Sequence, residues 1–566
     1  MIRQPDAFPP EDGPAWQRIR RYAVPAWMIE QATAHRLAGD WRAACAAAAV
    51  DIAFELPGIE ARHGAAVAEA VADDLRHFAP DLLRWHLPRA LGGRTTIEPD
   101  LRIVLASYGG SGGPSLSVTT PTMIEGPQRL RLHCAPVPPV KWNPYGGGGF
   151  RPESWAAARP FWDARCAAEL GARFGARTGP AALIRRLQAD GDMDAAYTAA
   201  GIERDLTVPA PLRHERPVDP QALFAHPPIA LSRLVPETRR LMAAGVGERF
   251  RVAFGWRSTL LLEPAGTDRL RARFIGQAEA RTVPELPRYT WQRLPDLELV
   301  GTGRITPGEL HPLVSAALFP EAGPAVGPPG PDSGRPVRVR CRGGWHEVRS
   351  EGGVLDVPHT PEEQQRERAM RAFGGKVSGC FAVQQTWTTG EGRLPRALRA
   401  QRREFFLRVQ HGDTPGVTAL LDAGVDPRIR DARGRGLLHE LPLLDHEVLL
   451  PRLLAAGLDL EARDKQERTA LFSAVHRGGS PDLVRSLLAA GSRIDVIDET
   501  ELSLSQEIRR YRRTDLAFLR KRVDAEYPGI GADWFDEHMA HRDEDEAEAE
   551  DEEAHEHEHE REDDDA

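Results

Sequence analysis

Residues able to do chemistry are scattered thinly along this chain, and few of them fall at a spacing that chemistry requires. No two of Cys45, Cys134, Cys166, Cys341 and Cys380 are close neighbours in sequence. A zinc knuckle is written in sequence as CxxC-type pairs, because one tight turn must present two thiolates to one ion. No such pair occurs, so the cysteines read as small buried hydrophobes in a reducing compartment, with no metal and no cofactor expected from them. The weak candidate metal ligands are instead His555, His557 and His559, alternating with glutamates near the C-terminus.

Phosphate and catalytic signatures also fail. Phe373-Gly374-Gly375-Lys376-Val377 approaches a phosphate loop, but Met370 and Val377 stand where a glycine and a Ser/Thr are needed. Gly146–Gly149 lacks GxGxxG spacing and lies among prolines, which reads as a loop. HExxH, GxSxG and EF-hand spacings are absent. Catalytic residues are therefore unknown, and an active site assembled from distant residues within 1–395 stays open as an alternative.

The elements that would position such residues begin with a helical hairpin. Ala26–Ala38 and Trp41–Phe54 are separated by Gly39 and Asp40, a helix stop followed by a cap. A further helix is predicted over Ala61–Trp85. The period then drops from 3.6 to 2, with strands predicted at Leu101–Ala106, Ser115–Thr119 and Leu130–Cys134. Helical texture returns at Trp155–Phe174 and Ala181–Ala200, before strands at Phe250–Phe254, Thr259–Leu262 and Leu270–Ile275. Gly and Pro make up nine of the fourteen residues 323–336, a composition that suits a linker. Beyond it, Val337–Cys341 and Trp345–Val348 flank Arg342-Gly343-Gly344 as a hairpin, and Pro361–Ala372 reads as a helix.

With 566 residues, 41% hydrophobic and 28% charged, the chain suits several globular domains and excludes collagen-like and wholly disordered classes. The longest apolar run, Ala43–Val50, is far short of the roughly 20 residues a spanning helix needs. The acidic, proline-bearing N-terminus carries no export signal, so a cytoplasmic location is expected. The net charge of −10 is unevenly placed: residues 541–566 hold sixteen acidic and two basic side chains, leaving the rest at +4. Such a tail cannot collapse and is expected to be disordered. Only Lys141, Lys376, Lys465 and Lys521 of the 73 basic residues are lysines, the mark of a GC-rich, bacterial coding bias rather than of nucleic-acid binding.

From residue 403 the sequence repeats. Leu420-Leu421, Leu453-Leu454 and Leu487-Leu488 recur at one nearly constant interval, as do Gly424, Gly457 and Gly491, and then Asp431, Asp464 and Asp498. Paired leucines before a glycine, at a period of about 33 residues, mark helix pairs that must stack to bury one apolar stripe. The stretch resembles the ankyrin repeat family. The family's Asp-x-x-Gly-x-Thr-Pro-Leu-His turn is approximated by Asp431–His439 and again from Asp464 through Phe472. Gly436 and Leu437 replace Thr-Pro, Glu467 replaces the turn glycine, and Phe472 replaces the histidine. His439 is expected to bond turn backbone. The resemblance implies a concave surface carrying Arg433, Arg435, Lys465, Gln466, Arg468, Ser473 and His476, which are the partner-binding candidates.

The expected architecture is α+β and multidomain. It comprises a helical segment 1–95, a mixed α+β region 96–322, a linker 323–336, a hairpin plus helix 337–400, an ankyrin-like α-solenoid with degenerate caps 401–525, and an acidic tail 526–566. The expected function is that of a scaffold or adaptor binding another protein through the stack, rather than an enzyme. The alternatives are an N-terminal enzyme whose target the repeats choose, and a nucleic-acid regulator screened by the tail. Neither a membrane nor a nucleic acid is expected as partner, and the oligomeric state is open.

Overall fold

The computed structural model of the chain describes residues 12–110, 112–137, 149–175, 179–207, 219–225, 229–253, 259–266, 268–330, 336–351, 354–374 and 377–539. The acidic tail with its three candidate histidines, Lys376, most of the Gly146–Gly149 run and part of the 323–336 stretch lie outside them. The chain divides into two compact units. Unit 1 comprises residues 1–124 and 128–330, and unit 2 comprises 331–566 together with Glu125–Pro127.

Unit 1 contains two small sheets. The first runs in the order β1-β4-β3-β2-β5, from β1 (Val50–Ile52), β2 (Leu101–Ser107), β3 (Ser115–Thr119), β4 (Leu130–Ala135) and β5 (Arg151–Ser154). The second runs β6-β9-β8-β7, from β6 (Ile202–Asp205), β7 (Phe250–Ala253), β8 (Thr259–Pro264) and β9 (Leu270–Ile275). Alternation puts most of these strands within reach of sequence reading. Three helical expectations differ. The helix from Trp41, capped by Asp40, ends at Ala47; Ala49 turns the chain at φ 54°, and Val50–Ile52 pairs in parallel with β4. The stretch 61–85 is cut by Gly64 at φ 87° and by Pro80 into separate helices. Around Trp155–Phe174 no long α-helix forms; a 3-10 segment at Arg159–Phe161 and a π-helical turn at Gly171–Gly175 take its place, with Trp155, Phe161 and Phe174 packed on one another and Trp162 buried beside them.

Unit 2 opens with a three-stranded antiparallel meander, β10 (Val337–Cys341), β11 (Gly344–Glu351) and β12 (Val354–Asp356). Helices follow at Pro361–Ala372, Gly379–Thr389, Arg396–Gln410, Thr414–Asp422, His446–Ala455, Ala470–His476, Pro481–Ala489, Leu504–Arg510 and Ala517–Glu526. The expected ankyrin-like solenoid is overturned: unit 2 is mixed α/β, and its helices from Gly379–Thr389 to Ala517–Glu526 share one apolar core with the meander. The reason is local. Leu437–Leu444, where a repeat would place its first helix, carries Pro442 and forms turns and a three-residue 3-10 segment. What the sequence period does produce is a recurring turn. Asp431, Asp464 and Asp498 each accept hydrogen bonds from two backbone amides, those of residues two and four further on.

Candidate metal centre

The β10–β11 hairpin turns through two residues, Arg342 and Gly343, both left-handed at φ 49° and 86°. This is the tight connection that matches strand twist, and it fixes the register. Gly344, not Trp345, pairs with Cys341, and His346 pairs with Val339. A one-residue shift in pairing would reverse every side chain after the turn. In this register Cys341 and His346 share the face that also carries Val337, Val339 and Val348 into the core, while Trp345 lies 66% exposed on the other.

Two further ligand-type side chains reach the same point. His359 follows β12 and precedes the helix Pro361–Ala372, which Thr360 caps and Pro361 begins, at a position where a missing N–H costs nothing. Cys380 lies in the first turn of the eleven-residue helix Gly379–Thr389, which Phe381, Val383 and Trp387 anchor in the core. Gly379 adopts φ 59°, and a Cβ there would lie 2.5 Å from Cys341 Sγ. Only glycine lets this helix approach the hairpin so closely.

Cys341, His346, His359 and Cys380 thus converge, with all four donor atoms within 4.8 Å of one another. Cys341 Sγ lies 3.5 Å from His359 Nε2, Cys380 Sγ 3.5 Å from His346 Nδ1, and the two imidazole nitrogens 3.3 Å apart. With Zn–S about 2.3 Å and Zn–N about 2.0–2.1 Å, the edges of a tetrahedron are about 3.6 Å between sulfur and nitrogen and about 3.3 Å between nitrogens. These three separations therefore match edges of a zinc-sized tetrahedron, and the remaining ones are within 4.8 Å. The spacing-based reading, which takes Cys341 and Cys380 as small buried hydrophobes, does not anticipate this convergence.

The surroundings suit such an ion. Cys341 and Cys380 are buried as free thiols, and Phe381 lies with its ring centroid 4.5 Å from that of His359. Burial, and then the neighbouring Cys341 sulfur, push the Cys380 thiol up to about 12. A bound divalent cation reverses that order, since it binds thiolates and displaces their protons. Around the ligands, Glu363 accepts from His359 Nδ1 at 3.2 Å, which leaves Nε2 free to ligate. That bond, followed by one from the Thr360 amide, holds Glu363 below the usual carboxylate range. Arg342, in the hairpin turn, donates to the other Glu363 oxygen at 3.0 Å.

The partner-binding candidates fare differently. Arg433 is exposed and bonds Glu125, whereas Arg435 is held by Asp431 and Glu440. Lys465 pairs with Glu391 at 3.6 Å and lines a groove of about 610 Å³ with Thr388, Arg428 and Arg463. Gln466 bonds Glu499, and His476 bonds the buried Glu507. Arg468 and Ser473 are buried, so they cannot meet a partner as expected. Arg468 instead crosses to Asp498 at 2.9 Å, because the next turn brings a carboxylate alongside. His439 is buried, accepts from the Gly436 amide and donates to the Arg468 carbonyl. In unit 1, Asp73, Asp74 and Asp163 are occupied by Arg159 and Arg165 in one ion network. No helix among the described residues is long and apolar enough to cross a membrane. No family profile matches the chain.

Proposed function

We propose that residues 337–389 bind one Zn²⁺ in a structural centre formed by Cys341, His346, His359 and Cys380. The observation that carries this reading is the set of donor separations, 3.3–3.5 Å between sulfur and nitrogen or between nitrogens, in a largely buried site. Two soft thiolates and two imidazoles favour zinc over magnesium or calcium, which take oxygen ligands. Four protein donors fill a tetrahedral shell, whereas a catalytic zinc keeps one position for water or substrate. The closed shell supports a binding protein stapled by metal rather than a metalloenzyme. Purified from zinc-supplemented medium, the full chain is expected to carry one zinc per molecule by elemental analysis. Cys380→Ser and His346→Ala should each retain only a minor fraction of that zinc. Wild-type protein without zinc, or a Cys380→Ser variant that keeps a full equivalent, would refute the assignment.

A further inference from the structure

The helix Pro361–Ala372 has no apolar face to hold it in place. Its sequence, PEEQQRERAMRA, is polar nearly all round, and no residue of it whose burial is described is buried. The half-buried positions are Glu363, Gln364 and Glu367, all polar. At its far end Met370 and Phe373 are 59% and 92% exposed. A helix of this length is marginal in water unless something outside it contributes, and a helix polar on every face lacks the usual contribution.

Its attachments sit in the first two turns and lead to the metal centre. Thr360 Oγ1 accepts from the Glu363 amide at 3.3 Å, and the Glu363 carboxylate accepts from the Thr360 amide at 3.2 Å, a reciprocal cap. The same carboxylate receives His359 Nδ1, and Gln364 Nε2 donates to the His359 carbonyl at 3.0 Å. Arg342, the residue after Cys341, reaches both Glu363 and Glu367, at 3.0 and 3.5 Å. So one carboxylate caps the helix, orients a ligand imidazole and ties down the hairpin turn.

Resting on the zinc reading above, we propose that metal occupancy controls this helix through Glu363, a positioning residue: the helix is formed with zinc bound and unwinds when zinc is removed. With the ion in place, His359 is fixed by Nε2 and presents Nδ1–H to Glu363 in one geometry. Without it, the loop carrying His359 loses its strongest tether, and the cap loses the partner that holds it against the meander. The device amounts to a zinc-dependent change in the surface around Met370 and Phe373.

Hydrogen exchange on the full chain, zinc-loaded and EDTA-treated, tests this directly. Amides of 361–372 should exchange at least tenfold faster without zinc, while those of 470–489 should be unchanged and report that the rest of unit 2 stays folded. Glu363→Ala should still bind one zinc, with affinity weakened about 10–100-fold, and should show no zinc-dependent protection of 361–372. Thr360→Ala removes a cap but spares the His359 contact, and should keep both the affinity within about threefold and the response. Equal protection of 361–372 in the loaded and metal-free wild type, or a Glu363→Ala variant that still responds, overturns the inference while leaving the zinc site intact. A wild-type chain that takes up no zinc overturns both.

Discussion

Residues 396–523 and residues 337–389 contribute to one apolar core, but by different means. In the helical stretch the fully buried side chains are mostly large and aliphatic or aromatic: Phe405, Val417, Leu449, Leu453, Phe472, Val484 and Leu487. In the hairpin stretch the apolar set is thinner, with Val348, Leu355 and Trp387 its deepest members, and two sulfurs and two imidazoles meet where more hydrocarbon would otherwise pack. The first region is stabilised by area removed from water; on the zinc reading, the second depends in addition on bonds from Cys341, His346, His359 and Cys380 to a cation. The two should therefore answer to different perturbations.

The largest effects should come from emptying each region's own support. Phe472→Ala or Leu487→Ala should cost about 2–5 kcal/mol, read from denaturant melts, whether or not zinc is present. Leu454 and Leu488, the second leucines of their pairs, are only partly buried and should cost less when truncated. Conversely, zinc at a thousandfold excess over its dissociation constant should stabilise the wild type by about 4 kcal/mol, and Cys380→Ser by none. A Leu487→Ala penalty that vanished in EDTA would show that the two regions are not separately supported.

Next in size is the buried pair Arg468–Asp498, whose carboxylate is wholly buried. Arg468→Ala removes the guanidinium but leaves the carboxylate its bonds from Thr500 and Leu502, and should cost about 1–3 kcal/mol in the same melts, independent of zinc. A change as small as ordinary surface substitutions give, under about 0.5 kcal/mol, would restore Arg468 to the surface role expected from its motif position.

The smallest effect is a pH dependence confined to the helical stretch. Burial holds His439 below its ordinary value. As pH falls below about 6.5 the unfolded chain takes up this proton first, so stability declines with acid, by at most about 1.4 kcal/mol per pH unit from one group. His439→Gln should flatten that limb of the stability–pH curve, measured on metal-free protein. An unchanged slope would assign the acid sensitivity to other groups.

Much of the local structure was legible. The strands near 101, 115, 130, 259 and 270, the helix at 361–372 and the recurring Asp turns all follow from period and short-range hydrogen bonding, which adjacent residues encode. The solenoid expected from the repeats does not form, because Pro442 and the neighbouring turn divert one repeat, and because the leucines share their core with a sheet the repeat pattern does not mention. The Cys341–His346–His359–Cys380 cluster escaped for a sharper reason. A turn read as Arg342-Gly343-Gly344 points Trp345 inward and His346 outward, whereas the observed two-residue turn does the opposite.

Residue identity alone settles which side chains are able to ligate, where the chain turns, and that Gly343 and Gly379 cost little in left-handed backbone. Packing settles the rest: Cys341 and His346, on one face of a hairpin, meet His359 from a loop and Cys380 from a helix start. A single hairpin turn joins Cys341 to His346, but the stretches from there to His359 and on to Cys380 are too long for any one turn to bridge. An ion responds only to the distances between donor atoms, and those exist once the helix Gly379–Thr389 has closed against the hairpin.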